Sequence, residues 1–522
     1  MTRAVVRLES GSLAGAWNAD RTVCAFKGVP YARPPIGPLR WQPPLPPERW
    51  SGTRPADRFG PRCVQPNRPA HAVGYFGAEP ESEDCLYLNV WTAAPTAGEK
   101  RPVMLWLHGG AFLVGSGSLP IFDGSALAQR GAVVVTINYR LGRLGFLAHP
   151  ELSAEQPYRA SGNYGLLDQI AALRWIQANI AAFGGDPDRV TIFGQSAGSS
   201  SVSSLMASPL AKGLFHRAIG QSGGAFFARI LAPLDVAEQA GVTFAHALGA
   251  STIDELRSKP VREVQFRRPN EDGPLKETYD AADPKGIDRA TAWAVIDDYV
   301  HPDRVMNVFA RGEQNDVPLI SGATADEGTT QPAISSVAEF QRRARTDYGD
   351  MADAFLARFP AGTDAEATLA SRRVIGTRVF NWENWTWANM QRKTGRSPVY
   401  FYHFGHVLPK PLFAGRGGDL ERELGAFHTG EIPYVFQTLD ARDWPWCGAD
   451  RELSDVMARY WINFATSGNP NGPGLPDWPR YAPPQPTTLF FDQGVRVGAV
   501  PDMETLQFWT DFDDSLRRRP AA

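Results

Sequence analysis

Val190-Thr191-Ile192-Phe193-Gly194-Gln195-Ser196-Ala197-Gly198 decides the fold. The first four residues are β-branched or aromatic and read as a buried strand. Ala197 to Ala207 is small and weakly apolar, and reads as a helix that ends before Pro209. A serine in G-x-S-x-G between a strand and a helix is a nucleophile elbow. The turn at Ser196 is so sharp that side chains two residues to either side would collide, so glycine stands there. The same turn lifts the hydroxyl above the carboxyl ends of the strands. It also aims the amide groups at the helix start toward whatever the hydroxyl attacks. With 50 glycines in 522 residues, roughly 0.3 chance matches to the pentapeptide are expected. The reading therefore leans on the flanking strand and helix, and on partners elsewhere in the chain.

Outward from this stretch, apolar strands alternate with helical periods. Upstream, Val5 to Leu8, Ser12 to Trp17, Leu86 to Trp91, Val103 to Leu107 and Ala132 to Ile137 read as strands. Downstream, Arg217 to Gln221, Val317 to Ser321 and Val399 to His403 do so as well. In Gly165 to Phe183 the residues Leu166, Ile170, Leu173, Ile176 and Ile180 recur at three and four, the period of an amphipathic helix. Leu453 to Thr466 reads as another helix. Phe26 to Gly37 is too rich in proline for regular structure and is expected to run extended on the surface. Such alternation predicts a mostly parallel sheet with helices on both faces, and an active site beyond the strands' carboxyl ends. Residues of about 230–315 and 330–395 read as helical insertions that cap that sheet or form a separate lobe, within a single domain spanning 1–522. Arg267 to Gly286 is polar and expected to be exposed.

Composition removes several classes of function. A hydrophobic fraction of 43% supports a large core, and 53 basic against 56 acidic residues leave a net charge of −3. There is no electrostatic footprint for nucleic acid and no apolar run long enough to span a membrane. Met1 to Gly15 has no apolar leader, so the expected location is cytoplasmic as the chain stands, or exported if a leader precedes it. Cys24, Cys63, Cys85 and Cys447 show no metal spacing, and the nine histidines contain no H-E-x-x-H. No metal and no cofactor are expected. Oligomeric state is not legible.

A serine hydroxyl needs a base, and the base needs an orienting carboxylate. In an α/β-hydrolase these follow in the order nucleophile, acid, base. His216, His246, His301, His403, His406 and His428 lie after Ser196. His428, in the glycine-flanked loop Gly425 to Glu431, is best placed for the base. Asp326-Glu327-Gly328 follows a strand and suits the acid, and only one of its two carboxylates can face the histidine. His108-Gly109-Gly110-Ala111, after another strand, is a loop of the kind that donates amide hydrogens to an oxyanion, with a further donor at Ala197.

With these residues in view, the chain resembles the type-B carboxylesterases, a family that includes the cholinesterases and the bacterial p-nitrobenzyl esterases. The matching stretches are Phe26 to Gly37, Ser82 to Val90, Leu107 to Phe112, Asn138 to Gly145, Gly162 to Gln169, Phe183 to Gly198, Asp326 to Gly328, and Phe427-His428 with Glu431. The resemblance implies an α/β-hydrolase fold and a triad of Ser196, Glu327 and His428. It implies oxyanion donors at Gly110, Ala111 and Ala197, and a disulfide between Cys63 and Cys85. Ser222 matches a serine that stands one layer behind the reacting groups. Cholinesterase-like members carry Glu before the nucleophile, where this chain has the neutral Gln195. Gly74 to Pro80 holds Tyr75 and Phe76 but no tryptophan of the kind that forms a choline platform, so a choline ester is disfavoured. Trp382, Trp385 and Trp387 read either as the lining of an aromatic gorge or as core. Arg372, Arg373 and Arg378 are candidates for a charged substrate, with solvation as the default for each.

The expected activity is hydrolysis of a small-molecule carboxylic ester through an acyl-enzyme. Hydrolysis of an amide, carbamate, lactone or thioester would use the same machinery. A non-catalytic adhesion-type relative is the reading from a different class. All three triad residues stand here, which argues against it.

Overall fold

A computed structural model of the chain describes residues 4–67, 79–96, 98–227, 231–267, 275, 289–409, 424–482 and 486–518. Tyr75 and Phe76, and most of the polar stretch from 267 to 286, lie outside the described residues.

The centre is a 13-stranded sheet. Its strands are β1 (Ala4–Arg7), β2 (Ser12–Trp17), β3 (Cys24–Pro30), β4 (Thr53–Ala56), β5 (Tyr87–Thr92), β6 (Arg101–Leu107) and β7 (Val133–Ile137). They continue with β8 (Gly185–Gln195), β9 (Arg217–Gln221), β10 (Leu319–Thr324), β11 (Val399–Phe404), β12 (Thr487–Phe491) and β13 (Val495–Ala499). The spatial order is β1-β2-β3-β5-β7-β6-β8-β9-β10-β11-β12-β13, with β4 beside β2. From β7 through β12 every pairing is parallel, whereas β5 against β7 and β12 against β13 are antiparallel.

The central strands are largely apolar over their buried lengths because both faces are covered there. Alternate residues go to opposite faces. Val103, Leu105, Leu107, Val190 and Ile192 join one core, together with α1 (Tyr164–Asn179) and α2 (Ala197–Ala207). Met104, Trp106, Phe193, Ile219 and Ile320 join the other, with α3 (Gly448–Ser467) behind them.

Two expectations are corrected. Phe26 to Gly37 is not irregular throughout, since Cys24–Pro30 is a strand paired antiparallel with β5. A register shift between Phe26 and Val29, with Gly28 at φ +66°, takes up the bend, and Pro30 sits at the strand's end, where a missing N–H is tolerated. The helix α1 is also buried nearly all round rather than on one face. Two of its buried polar residues bond across the core. Asp168 takes three hydrogen bonds from Arg140, at 2.7, 2.8 and 3.0 Å, and Gln169 donates to Ser201 at 3.0 Å. That ion pair ties the stretch Asn138 to Gly145 to the stretch Gly162 to Gln169. Arg40 and Glu83 tie the N-terminal loops in the same way, at 2.6 and 2.7 Å.

Candidate active site

Because β6, β8, β9 and β10 run parallel, their carboxyl ends lie along one edge of the sheet. The loops that follow them therefore converge there. They are the turn after Leu107, the elbow after Gln195, the turn after Gln221 and the short helical turn Glu327–Thr330.

Ser196 has φ 59° and ψ −126°, a conformation that non-glycine residues avoid, at a cost of about 1–3 kcal/mol. The neighbours hold it. Its amide donates to the Gln221 carbonyl at 2.9 Å, and its carbonyl accepts from Ser200. A Cβ at Gly198 would lie 1.9 Å from the Leu107 carbonyl oxygen. This is the steric reason for glycine that the sequence implied.

The turn after Leu107 carries three consecutive positive φ angles, 111° at Gly110, 55° at Ala111 and 57° at Phe112. A Cβ on Gly110 would meet the Val114 carbonyl at 2.0 Å. Its anchor is His108, whose Nδ1 lies 2.8 Å from the Gly109 carbonyl, whose own carbonyl accepts from the Tyr139 hydroxyl at 2.6 Å, and whose ring stacks on Tyr139. Burial pushes the His108 imidazole down to about 4, so it is neutral at neutral pH. The amides of Gly110, Ala111 and Ala197 have no acceptor among the described residues.

Asp326 and Glu327 diverge. The Asp326 amide donates to the Ala426 carbonyl at 2.9 Å, and its carboxylate accepts from the Ala426 amide at 2.8 Å. This forms a parallel bridge of Asp326 with Phe427. Glu327 is fully buried, accepts from the Thr324 amide at 2.8 Å, and meets Nδ1 of His428 through its other oxygen. One residue thus docks the histidine loop and the next one meets the histidine. The Phe380 ring lies 4.2 Å from the His428 ring, centroid to centroid. The Gln195 amide nitrogen lies 3.3 and 3.2 Å from the two ring nitrogens. The residue before Ser196 therefore touches the histidine that Glu327 holds.

None of the other histidines after Ser196 hydrogen-bonds Ser196, Glu327 or His428 among the described residues. His216 accepts from the Val190 amide, His406 bonds Asp450, and burial pushes both His301 and His403 down to about 4.

A polar layer lies behind. Gln221 donates to Glu431 at 3.1 Å and accepts from Trp461 at 3.2 Å, while its backbone holds Ser196. Burial, and then the charge of Glu327, push the Glu431 carboxyl up to about 8. Ser222, at φ 53° and fully buried, has no hydrogen-bond partner for its hydroxyl among the described residues. Gln221 and Phe380 carried no signal in the sequence. The clue to Tyr139 was its place in a matched stretch.

Cys63 and Cys85 are buried free cysteines, so the disulfide that the resemblance implied is not formed, and the hydrogen bond of the Cys85 thiol to Cys63, ahead of burial, raises that thiol. Trp382 and Trp387 are core, at 1% and 0% exposure. Arg373 pairs with Asp502, and Arg378 lies among the rings of Phe227, Tyr348, Trp509 and Phe512. Arg372 is partly buried, and its Nε has no partner among the described residues. No cluster of three or more His, Cys, Asp or Glu that could hold a metal occurs among the described residues, and no described helix is long and apolar enough to cross a membrane.

The family model of the carboxylesterase family matches residues 2–509. A fumonisin B1 esterase from Sphingopyxis macrogoltabida is 38% identical over 491 residues, covering 91% of this chain and 84% of that protein. A para-nitrobenzyl esterase from Bacillus subtilis is 34% identical over 522 residues, covering 97% and 98%. Among solved structures, a PNB esterase superposes with a TM-score of 0.78 at 32% identity, covering 97% of this chain and all of that one. The fold is accordingly the α/β-hydrolase fold.

Proposed function

This chain belongs to the carboxylesterase family and is a carboxylesterase, and we propose that it cleaves small-molecule carboxylic esters through a covalent acyl-enzyme carried by Ser196, His428 and Glu327. The observation that carries the reading is the contact of buried Glu327 with His428 Nδ1, beside an elbow whose strained serine follows Gln195.

In this reading Glu327 holds the Nδ1 proton, which leaves Nε2 to take the proton of Ser196. The serine oxygen attacks the ester carbonyl. The amides of Gly110, Ala111 and Ala197 receive the oxyanion, each worth about a hundredfold to a thousandfold in rate. His428 returns the proton to the leaving alcohol. Water then repeats the sequence on the acyl-serine and releases the acid. Ser222, one layer behind, anchors the turn beneath Ser196 through its amide, which donates to the Gly322 carbonyl at 2.8 Å. The helical segments of about 230–315 and 330–395 cap the site within one domain. Gln195 places a neutral amide beside the histidine, which suits an uncharged ester better than a cationic one.

The test is hydrolysis of a short and a medium-chain p-nitrophenyl ester, with Ser196→Ala beside the wild type. Turnover is expected in the wild type and should fall by about a thousandfold or more in the variant. Turnover that survives the substitution would overturn the assignment of the nucleophile.

A further inference from the structure

The elbow rests on more than its own strand. The turn from Gln221 to Gly224 lies directly beneath it. Gln221 accepts the Ser196 amide at 2.9 Å, and the Gly223 and Gly224 carbonyls accept the Ser199 and Ser200 hydroxyls at 2.6 and 2.7 Å. A Cβ on Gly223, where φ is +159°, would lie 2.7 Å from the Ser196 carbonyl oxygen. The turn and the nucleophile's backbone are therefore in contact, and one cannot move without the other.

Something must hold the turn. That group is Asn384, on the helix Trp382–Thr394, and fully buried. Its Oδ1 accepts the Gly223 amide at 2.6 Å. Its Nδ2 donates to the Gly220 carbonyl at 3.0 Å and to the Ser321 hydroxyl, on β10, at 2.9 Å. The Ser321 hydroxyl donates back to the Asn384 carbonyl at 3.0 Å. One side-chain amide thus uses its acceptor and one donor to bracket Gln221 and Ser222, and its other donor to tie them to Ser321 on the neighbouring strand. The preceding residue, Glu383, accepts the Phe226 and Phe227 amides at 2.7 and 3.1 Å and holds the continuation of the same segment.

We propose that Asn384 is a positioning residue for the nucleophile, fixing the Gly220–Gly223 turn so that Ser196 stays in the conformation that presents its hydroxyl. The proposal rests on Ser196 being the nucleophile. Asn384 touches no reacting atom. It acts because a strained backbone persists only where its surroundings over-determine it. Without the amide, the Gly223 N–H loses its acceptor in a dry site and the Gly220 carbonyl keeps only its place in the strand ladder, so the turn shifts to satisfy the freed amide.

The test reads the serine itself. The second-order rate of labelling by a fluorophosphonate, counted by intact mass, is measured per folded molecule in the wild type, Asn384→Ala and Gln391→Ala. Gln391 is a buried amide on the same helix that bonds Asp316 and the Val317 carbonyl instead. Asn384→Ala should slow labelling by about tenfold to a hundredfold. The kcat for a p-nitrophenyl ester should fall in proportion, with KM little changed. Gln391→Ala should lower the melting temperature and leave labelling near the wild-type rate. Wild-type labelling in Asn384→Ala, or equal slowing in Gln391→Ala, would overturn the proposal.

If Asn384→Ala does not fold, Asn384→Asp carries the test. It keeps the acceptor for Gly223, but when ionised it has no donor for Gly220. Its labelling relative to the wild type should be low at about pH 8 and recover toward about pH 6, as the carboxyl takes up a proton it can donate. A ratio that stays flat overturns the proposal. A wild type that takes no label at Ser196 overturns the nucleophile reading itself, and this proposal with it.

Discussion

Asp326 and Glu327 are chemically alike and adjacent, yet their environments divide the work. Asp326 binds backbone at Ala426, and Glu327 meets His428. Glu327→Gln keeps the shape and removes the charge that would favour the imidazolium. Its kcat on a p-nitrophenyl ester is expected to fall by about a thousandfold or more, with KM little changed. Asp326→Asn weakens the docking of the loop and leaves the partner of His428 intact. It should lower the melting temperature and reduce kcat by about tenfold. Equal losses in the two variants would show that both act on the position of the loop. The sequence alone said that only one of the pair could face the histidine. The motif indicated which, while the docking role of Asp326 depends on a contact with a residue 100 positions away, which no local pattern encodes.

At the scale of elements, strands and their ends were readable because period and composition are local. Ser12–Trp17, Ala197–Ala207 and Arg217–Gln221 stand where the pattern put them. What stayed hidden was long-range. The proline-dense N-terminal stretch conceals a strand whose partner, β5, lies some sixty residues on. The run of tryptophans on the helix that starts at Trp382 drew attention to its aromatics, while Asn384 between them makes the contacts that reach the elbow. In α1 the apolar period was visible, but the burial of Asp168 against Arg140 was not, because a polar residue in such a period reads as exposed. That pair has side-chain exposures of 2% and 0%. Asp168→Ala would leave the Arg140 guanidinium buried and unpaired. The expected loss is about 3–5 kcal/mol, read from the urea midpoint at constant m-value. A shift worth less than about 1 kcal/mol would mean that water or another acceptor reaches Arg140.

At the scale of the whole molecule, the buried titratable groups set how stability follows pH. Burial pushes Glu383 and Glu431 up to about 8, from an ordinary value of 4.5. A carboxyl raised in the folded state stabilises fully below its unfolded value, and that contribution is lost as pH rises toward the folded value. Each group therefore tilts stability downward by about 1.4 kcal/mol per pH unit between those limits. The buried histidines His108, His301 and His403, pushed down from 6.5 to about 4, tilt it upward over that lower range. Above about pH 6.5 the histidines are neutral in both states and the two glutamates carry the slope, until above about pH 9 the cysteines ionise in the unfolded chain while burial holds Cys24 up to about 12. The melting temperature should therefore fall from about pH 6.5 to about pH 8. Glu383→Gln keeps an acceptor for one of the Phe226 and Phe227 amides, sets an NH2 against the other, and removes one of the two protons. It should halve that fall and leave the elbow held. Thermal unfolding across this range checks it. A variant whose slope matches the wild type would mean that Glu383 ionises in the folded protein as it does in the unfolded chain.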